Sequence, residues 1–496
     1  MSTSSKHPKA YLAFDFGAES GRAVLAYLHS GVLTIDEVRR FANDPVEYGG
    51  SLHWDLPRLW FEIRAVLSAL EDTDLAGMAV DGWGVDYALL GERGELLHNP
   101  YHYRDPRNIP AMGDVLRVIS RDALYDATGI QLMPINTVNQ LYAARQHTPR
   151  LLDAAEQFVM IPDLFNYWLT GRVVCEFTNA TTTQLVNPLT RTWDTNLMQR
   201  LGIPERLAPP LIEPGAQIGR LLPGISTYRA LEDACVIACS SHDTASAVAA
   251  ITAREDTAFI SSGTWSLVGI ELDAPLMTTK ARELNFSNEG GVGRTTRLLK
   301  NVMGLWMLQS CRRSWADLGR KFEYGELMDA AGREPAFRHL VDPDDTSFVR
   351  PDDMPAAIDR FCRKTGQPTP ATPGAYTRTI LDSLALKYRL VLRNLEDVTG
   401  RQLANVRVIG GGSRNRLLNQ FTADATGLRV LAGPIEATAL GNIAVQMMAT
   451  GAVSTLAGAR AIIDRSFPIE VFEPRDLEGW DRQAPRFQQY CELAYV

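Results

Sequence analysis

Cysteine is scarce in this chain, with six in 496 residues: Cys175, Cys235, Cys239, Cys311, Cys362 and Cys491. Only Cys235 and Cys239 lie close, with three residues between them in an apparent strand. That is not a zinc spacing, and so few cysteines in such a length make no disulfide scaffold. A reduced, cytoplasmic protein is expected. No apolar run approaches the roughly 18 residues of a membrane span, so no membrane partner is expected. The first nine residues, Met1 to Lys9, are polar and lack the apolar centre of a signal peptide. Basic clusters are short: acidic residues outnumber basic ones 58 to 50, and Arg312-Arg313 and Arg414/Arg416 are the densest groups. With a net charge of −8, no nucleic-acid surface is expected.

What is present is ordinary globular composition, 45% apolar and 22% charged. At about 100–200 residues per domain, the length implies two to four domains. Near the midpoint stands Cys239-Ser-Ser-His-Asp-Thr-Ala-Ser246, behind the apolar run Ala234 to Ala238 and ahead of an Ala-rich stretch to Ile251. A strand and then a helix are expected, with His242 and Asp243 at the strand exit, where open α/β sheets hold ligands. Asp243 or Thr244 in that place also reads as a plain helix N-cap.

Along the chain, Ala10–Phe14 and Ala23–Leu28 read as an antiparallel hairpin around Asp15-Phe-Gly-Ala-Glu-Ser-Gly-Arg22, with Val32–Ile35 as a third strand. Gly17 and Gly21 can take positive φ there and bring backbone N–H groups to an anion, or form a simple turn. Asp55 to Leu70 carries helical apolar spacing. Gly77–Val80 reads as a strand ending on Asp81-Gly-Trp-Gly-Val-Asp86, and Tyr87–Leu90 with Leu96-Leu97 as a second hairpin. Helices are expected between 121 and 170, broken at Met133-Pro134; Arg104-Asp105 reads as a solvated or salt-bridged loop. Thr257–Ser261, the turn Ser262-Gly-Thr264 and Ser266–Ile270 repeat the opening pattern, so the two halves look duplicated. Pro368–Gly374 reads as a surface loop and Tyr376–Val398 as a helix stopped by Gly400. Val406–Ile409 reads as a strand running into Gly410-Gly-Gly412, Leu428–Leu431 as another, and Glu436–Met448 as a helix. None of the glycine turns fits a Walker loop, and Asn415 stands where the dinucleotide fingerprint needs its last glycine.

Asp15–Arg22, Asp81–Asp86, Ser241–Ser246, Ser261-Ser-Gly-Thr-Trp265, Lys300-Asn-Val-Met-Gly304 and Val408–Gly412 occur in the order found in the FGGY carbohydrate kinases. The chain resembles that family from about residue 10 to 455. The resemblance implies an α/β fold of two ribonuclease-H-like (actin-type ATPase) domains with the ligand cleft between them. Residues 10–247 would form the N-terminal kinase domain, 256–455 the C-terminal one and 456–496 an extension. It implies ATP and Mg²⁺, a ketose acceptor phosphorylated at its C1 hydroxyl, and L-rhamnulose as that ketose. A monomer or weak homodimer is expected.

By the same resemblance, Ala18, Glu19, Ser20, Gly21 and Arg22 take the ATP phosphates, joined by Thr264, with Gln309 and Gly411 towards the nucleotide. Gly84, His242, Asp243, Thr244 and Asn301 meet the sugar, and Asp243 is the general base. Asp15, at a strand end, is the expected Mg²⁺ ligand. Glu19 is a departure, because a carboxylate beside a polyphosphate must face away or meet the metal. Other readings stay open: an FGGY kinase for fuculose, xylulose or glycerol, an actin- or chaperone-like ATPase, or a non-catalytic sugar-binding protein. A hydrolase built on Ser241, His242 and Asp243 fails on geometry, since neighbours in one stretch cannot aim at each other as a triad must.

Overall fold

The computed structural model describes residues 10–70, 73–225, 231, 234–252 and 254–492. Strand β1 (Ala10–Phe16) is buried from end to end, which its apolar run demands once strands lie on both sides of it. It pairs antiparallel with β2 (Ser20–His29), and β2 with β3 (Val32–Ala42). On its other side it runs parallel to β4 (Leu75–Gly82). Beyond β5 (Gln217–Arg220) comes β6 (Cys235–Ile237), parallel to β4 and antiparallel to β5, so the order is β5-β6-β4-β1-β2-β3.

The second sheet repeats this plan. Strands β7 (Thr257–Ser262) and β8 (Trp265–Leu272) form an antiparallel hairpin, with β9 (Thr296–Met303) next to β8. Strand β10 (Asn405–Ile409) lies parallel to β7, β11 (Arg429–Ala432) parallel to β10, and β12 (Glu470–Phe472) antiparallel to β11. Hairpin, then two parallel strands, then one antiparallel strand: the duplication read in the sequence is present in the pairing.

Two compact units contain these sheets. The first takes Met1–Thr252, Glu271–Leu298 and Ala437–Phe467; the second takes Ala253–Ile270, Leu299–Glu436 and Pro468–Val496. Near the midpoint of the chain the unit changes after Thr252. Beyond it the division is not linear: 271–298 and 437–467 return to the first unit, and 468–492 packs within the second.

The return of 437–467 has a visible cause in α6 (Ala437–Ala449). It lies so close to α2 (Asp243–Ala249) that a Cβ on Gly441 would fall 1.7 Å from the Ser246 carbonyl oxygen. Gln446 Nε2 donates to the Leu12 carbonyl at 3.0 Å, and Asn442 Nδ2 to Asp81 Oδ2 at 2.6 Å. Small residues and two buried amides thus seat α6 against β1 and β4.

Helix ends follow local chemistry. Asp55 caps α1 (Leu56–Ala69), which buries Leu59, Ile63, Val66 and Leu67. In the second unit α3 (Trp306–Asp317) follows β9, and α4 (Pro373–Thr399) is capped by Thr372 and ends on Gly400 in the left-handed region at φ 69°. Pro373 and Gly374 therefore open a helix instead of closing a loop. The expected second hairpin is present but short: Leu97 N–H donates to the Leu89 carbonyl at 3.0 Å and Leu90 bridges Leu96 around the turn at 91–94, while Tyr87–Leu90 also pairs along its length with Gln157–Met160. No helix among the described residues is long and apolar enough to cross a membrane.

Candidate active site in the first unit and glycine loops in the second

In the first unit, β1 and β4 are parallel and in register, so Asp15 and Asp81 stand side by side as both strands end. Asp15 also faces Arg22 across the hairpin. Arg22 Nε and Nη2 donate to Asp15 Oδ2 at 2.8 and 2.6 Å. The turn itself is tight: Gly17 N–H donates to the Ser20 carbonyl at 2.9 Å, leaving Gly17, Ala18 and Glu19 between the strands. Ser20, Gly21 and Arg22 belong to β2 rather than to the loop. Neither Gly17 nor Gly21 has positive φ. Gly21 is glycine for packing, since a Cβ there would lie 2.1 Å from the Phe41 ring.

Asp81 was not among the expected site residues, yet it is wholly buried and its Oδ1 has no hydrogen-bond partner. Burial pushes its carboxyl well above the usual range, the charge on Asp15 adds to this, and Asn442 opposes it. Asp243 also contributes to that field, so three carboxylates act on one another here. The available signal was the parallel ending of two strands in Asp. Among the described residues, no group of three or more His, Cys, Asp and Glu has metal-holding geometry. Asp15, the expected Mg²⁺ ligand, has its Oδ2 engaged by Arg22.

After Asp81 the chain bends sharply. Gly84 has no room for a Cβ, which would meet Thr182 at 2.9 Å, and Val85 sits at φ 67°. Left-handed backbone at a β-branched residue costs about 1–3 kcal/mol. It is held by Thr182 Oγ1, which accepts from Val85 N–H at 2.9 Å, and by Thr137 Oγ1, which donates to the Val85 carbonyl. The turn delivers Asp86 into the interior. Its Oδ2 accepts from Trp54 Nε1, Trp83 Nε1 and Tyr103 N–H, and its Oδ1 from Gln140 Nε2. Burial raises the Asp86 carboxyl to about 7 despite those donors. Asp86 thus anchors two indoles whose rings lie 4.2 Å apart between centroids.

The central stretch crosses the same strand ends. Gly82 N–H donates to the Ser241 carbonyl at 2.9 Å, and His242 makes the next bridge. Glu176, fully buried, accepts from Ser241 N–H at 2.8 Å and from its hydroxyl at 2.9 Å, so the loop is fixed from behind. His242 is the N-cap residue of α2, and Asp243 is its first helical residue, so neither Asp243 nor Thr244 is the cap. Asp243 Oδ1 accepts from the Thr244 hydroxyl at 3.1 Å and lies 3.4 Å from His242 Nε2. Its side chain keeps 31% of its surface open. Burial raises its carboxyl, His242 lowers it and Asp15 raises it. On the far side, His242 Nδ1 lies 3.2 Å from Glu289 Oε2 and 3.2 Å from Arg297 Nη2. Nothing in the local spacing of Glu289 or Arg297 signalled that position.

The second unit carries the remaining expected residues. Gly263 N–H donates to the Trp265 carbonyl at 2.8 Å, closing the turn that holds Thr264. The Thr264 carbonyl accepts from Gly304 and Trp306, and the Gly263 carbonyl from Leu305. Gly304 is tight: a Cβ would come within 2.8 Å of the Gly263 carbonyl oxygen. Thus the Lys300–Gly304 motif and the turn at 263–264 form one packed piece, with Asn301 half-buried on β9 and Gln309 on α3. Gln309 Oε1 is buried without a hydrogen-bond partner. In the triple glycine, Gly410 takes φ 81°, and a Cβ on Gly412 would meet Ser262 Oγ at 2.1 Å. Gly411 has nothing within 4 Å of that position, so its backbone is open to a ligand. Asn415 caps α5 (Arg416–Thr426) and donates to Tyr324 Oη at 2.9 Å.

Comparison with known proteins gives this arrangement a setting. The N-terminal domain of the FGGY family of carbohydrate kinases matches residues 10–250, and its C-terminal domain matches 258–450. A rhamnulokinase of Bacteroides thetaiotaomicron is 44% identical over 474 residues, covering 95% of this chain and 97% of its own. One from Pectobacterium atrosepticum is 42% identical, covering 97% and 96%. Among solved structures, a ligand-bound xylulose kinase of Lactobacillus acidophilus aligns with a TM-score of 0.79 at 17% identity, over 98% of this chain and 97% of its own. A glycerol kinase of Plasmodium falciparum with ADP aligns with 0.76 at 15% identity, over 99% of each. The structural likeness establishes the two-domain α/β fold.

Proposed function

We propose that this chain, which belongs to the FGGY family of carbohydrate kinases, transfers the γ-phosphoryl group of ATP to the C1 hydroxyl of L-rhamnulose. The products are L-rhamnulose 1-phosphate and ADP. The observation that carries the reading is the near full-length identity of 44% to a rhamnulokinase. The geometry supports it with a carboxylate, Asp243, at the exit of a strand cluster, partly open and held by its neighbours.

Phosphoryl transfer needs positioning and charge neutralisation more than covalent chemistry. In this reading Asp243 accepts the C1 proton as the hydroxyl attacks phosphorus, a contribution of about 10²–10⁴-fold. His242, Thr244, Asn301 and the backbone at Gly84 hold the sugar. Ala18, Glu19, Ser20, Gly21, Arg22 and Thr264 meet the phosphates, and Gln309 and Gly411 the nucleotide. The unpartnered Gln309 Oε1 and the open face of Gly411 suit that assignment. An adenine amino group would supply the donor that Gln309 lacks.

Mg²⁺ fits the first unit chemically. It takes one or two carboxylates and several waters, and Asp81 Oδ1 is an unpartnered acceptor beside Asp15. When bound it would neutralise phosphate charge. Asp15 stays the proposed ligand through its oxygen not engaged by Arg22. A cytoplasmic enzyme, monomeric or weakly dimeric, completes the reading.

The test is ADP release with Mg-ATP across L-rhamnulose, L-fuculose, L-xylulose, D-xylulose and glycerol, with the product's phosphate position read by NMR. L-Rhamnulose should give the highest kcat/KM. A tenfold advantage for any other acceptor would overturn the substrate assignment and leave the family intact.

A further inference from the structure

His242 is gripped at both ring nitrogens. Nδ1 has two neighbours at 3.2 Å, Arg297 Nη2 and Glu289 Oε2, while Nε2 faces Asp243 Oδ1 at 3.4 Å. Arg297 is completely buried; its Nε donates to the Gly290 carbonyl at 2.9 Å, and its Nη2 lies 3.1 Å from Glu289 Oε2. The neighbours of Nδ1 make opposite demands. A carboxylate wants a proton on that nitrogen, and a guanidinium wants its lone pair.

Charge decides between them. Glu289 already has a counter-ion in Arg297, so it needs no proton from the imidazole. The guanidinium stays charged and remains a donor at any relevant pH. At the other end, a base must be a carboxylate, and a carboxylate at Nε2 requires N–H there. A lone pair on Nδ1 towards Arg297 and a proton on Nε2 towards Asp243 suit those two partners, and Glu289 Oε2 is then held by the charge of Arg297 alone.

We propose that Arg297, held by Glu289, is a positioning residue that selects the tautomer of His242 with its proton on Nε2 and so keeps Asp243 oriented for catalysis. The proposal rests on the reading of Asp243 as base. The charged groups that bear on the array are Asp15 and Asp81 on the Asp243 side, and Glu176 and Glu271 around Arg297. Both Asp243 and Asp81 belong to a field of carboxylates, where an N–H donor is the feature that favours the charged base. Without Arg297, Glu289 loses its counter-ion and draws a proton to Nδ1, and a neutral ring then turns a lone pair towards Asp243. A wrong tautomer beside a reacting group can cost several powers of ten even where the shape is kept.

Two measurements on the full chain test this. First, protein labelled with ¹⁵N-histidine is examined at neutral pH by two-bond ¹H–¹⁵N correlation, with His242→Gln used to assign the signal. Protonated Nε2 with bare Nδ1 is expected, and protonated Nδ1 overturns the proposal. Second, Arg297→Met should lower kcat at least about 10-fold, leave KM for ATP within about twofold and move a proton onto Nδ1. Arg297→Lys, which keeps a donor, should recover part of the rate. In Glu289→Gln/Arg297→Met no carboxylate remains to draw that proton, so Nδ1 should again be bare. A folded Arg297→Met enzyme with wild-type kcat and tautomer overturns the proposal. If that variant does not fold, the wild-type tautomer and Arg297→Lys decide. Asp243→Asn separates the two claims: wild-type turnover there removes the base, whereas the ring signal reports Arg297 independently.

Discussion

Arg22 reaches across the first hairpin and places Nε and Nη2 on the same oxygen of Asp15, at 2.8 and 2.6 Å. The pair stands beside buried Asp81 in the strand register. A cation is therefore fixed at the proposed phosphate turn before any ligand arrives, and it also lowers the cost of the Asp81 charge.

Arg22→Met should raise KM for ATP at least about tenfold, with Arg22→Lys intermediate, because a half-buried cation at the proposed phosphate turn is removed. Stability should change with a defined sign. The folded pKa of Asp81 is raised, so its share of stability is intact below the unfolded value of about 3.9 and is lost as pH rises. Arg22 opposes that rise, so the Tm gap between wild type and Arg22→Met should widen from pH 4 upwards. Melting curves with equal gaps at pH 4 and pH 8 would contradict this coupling.

Asp243→Asn keeps the shape and removes the base. A fall in kcat of about 10²-fold or more is expected, with the melting temperature and nucleotide affinity close to wild type. Near wild-type turnover by the folded variant would reassign the base.

Asp86 makes a second pH argument. Its carboxyl is raised to about 7 by burial, so its contribution is complete below about pH 4 and declines as pH rises to 7. Asp86→Asn cannot titrate, and its amide must set N–H groups against the donors of either Gln140 or the two indoles. A loss of about 1–3 kcal/mol is expected for such a buried mismatch. Denaturant unfolding should show the gap to wild type largest near pH 4 and smaller near pH 8. A gap that grows with pH would mean that Asp86 is not raised.

Adjacent glycines of the second unit should separate folding from binding. Gly412→Ala forces a Cβ to 2.1 Å from Ser262 Oγ and 2.8 Å from its carbonyl oxygen, a clash worth about 1–3 kcal/mol. Gly411→Ala meets nothing within 4 Å, so stability should hold while KM for ATP rises. Equal effects of the two changes on Tm and on KM would remove Gly411 from the nucleotide contact.

Much of this protein was readable in order along the chain, because the signals are local. Apolar runs ending in Asp or glycine marked β1, β4, β7 and β10, helical apolar spacing marked α1, and Gly400 marked the end of α4. Motif order from Asp15 to Gly412 carried the family. Strand limits were less legible, since Ser20–Arg22 looks like loop until pairing with β1 and β3 fixes it as strand.

Tertiary structure alone decided which distant groups meet. Tyr87–Leu90 is apolar and buried throughout, and besides the short hairpin to Leu96-Leu97 it pairs with Gln157–Met160, because an apolar run states that a strand will be covered and not which distant strand will cover it. Gly21 is required by a ring on β3, and Gly441 by the backbone of α2. Asp81 becomes a site residue only when β4 aligns with β1, and Glu289 and Arg297 only when 271–298 packs back onto the first unit beside His242. Local sequence encodes propensity and periodicity within a few residues. A buried charge takes its meaning from the counter-charge that folding brings to it, and for His242 that is an arginine on β9.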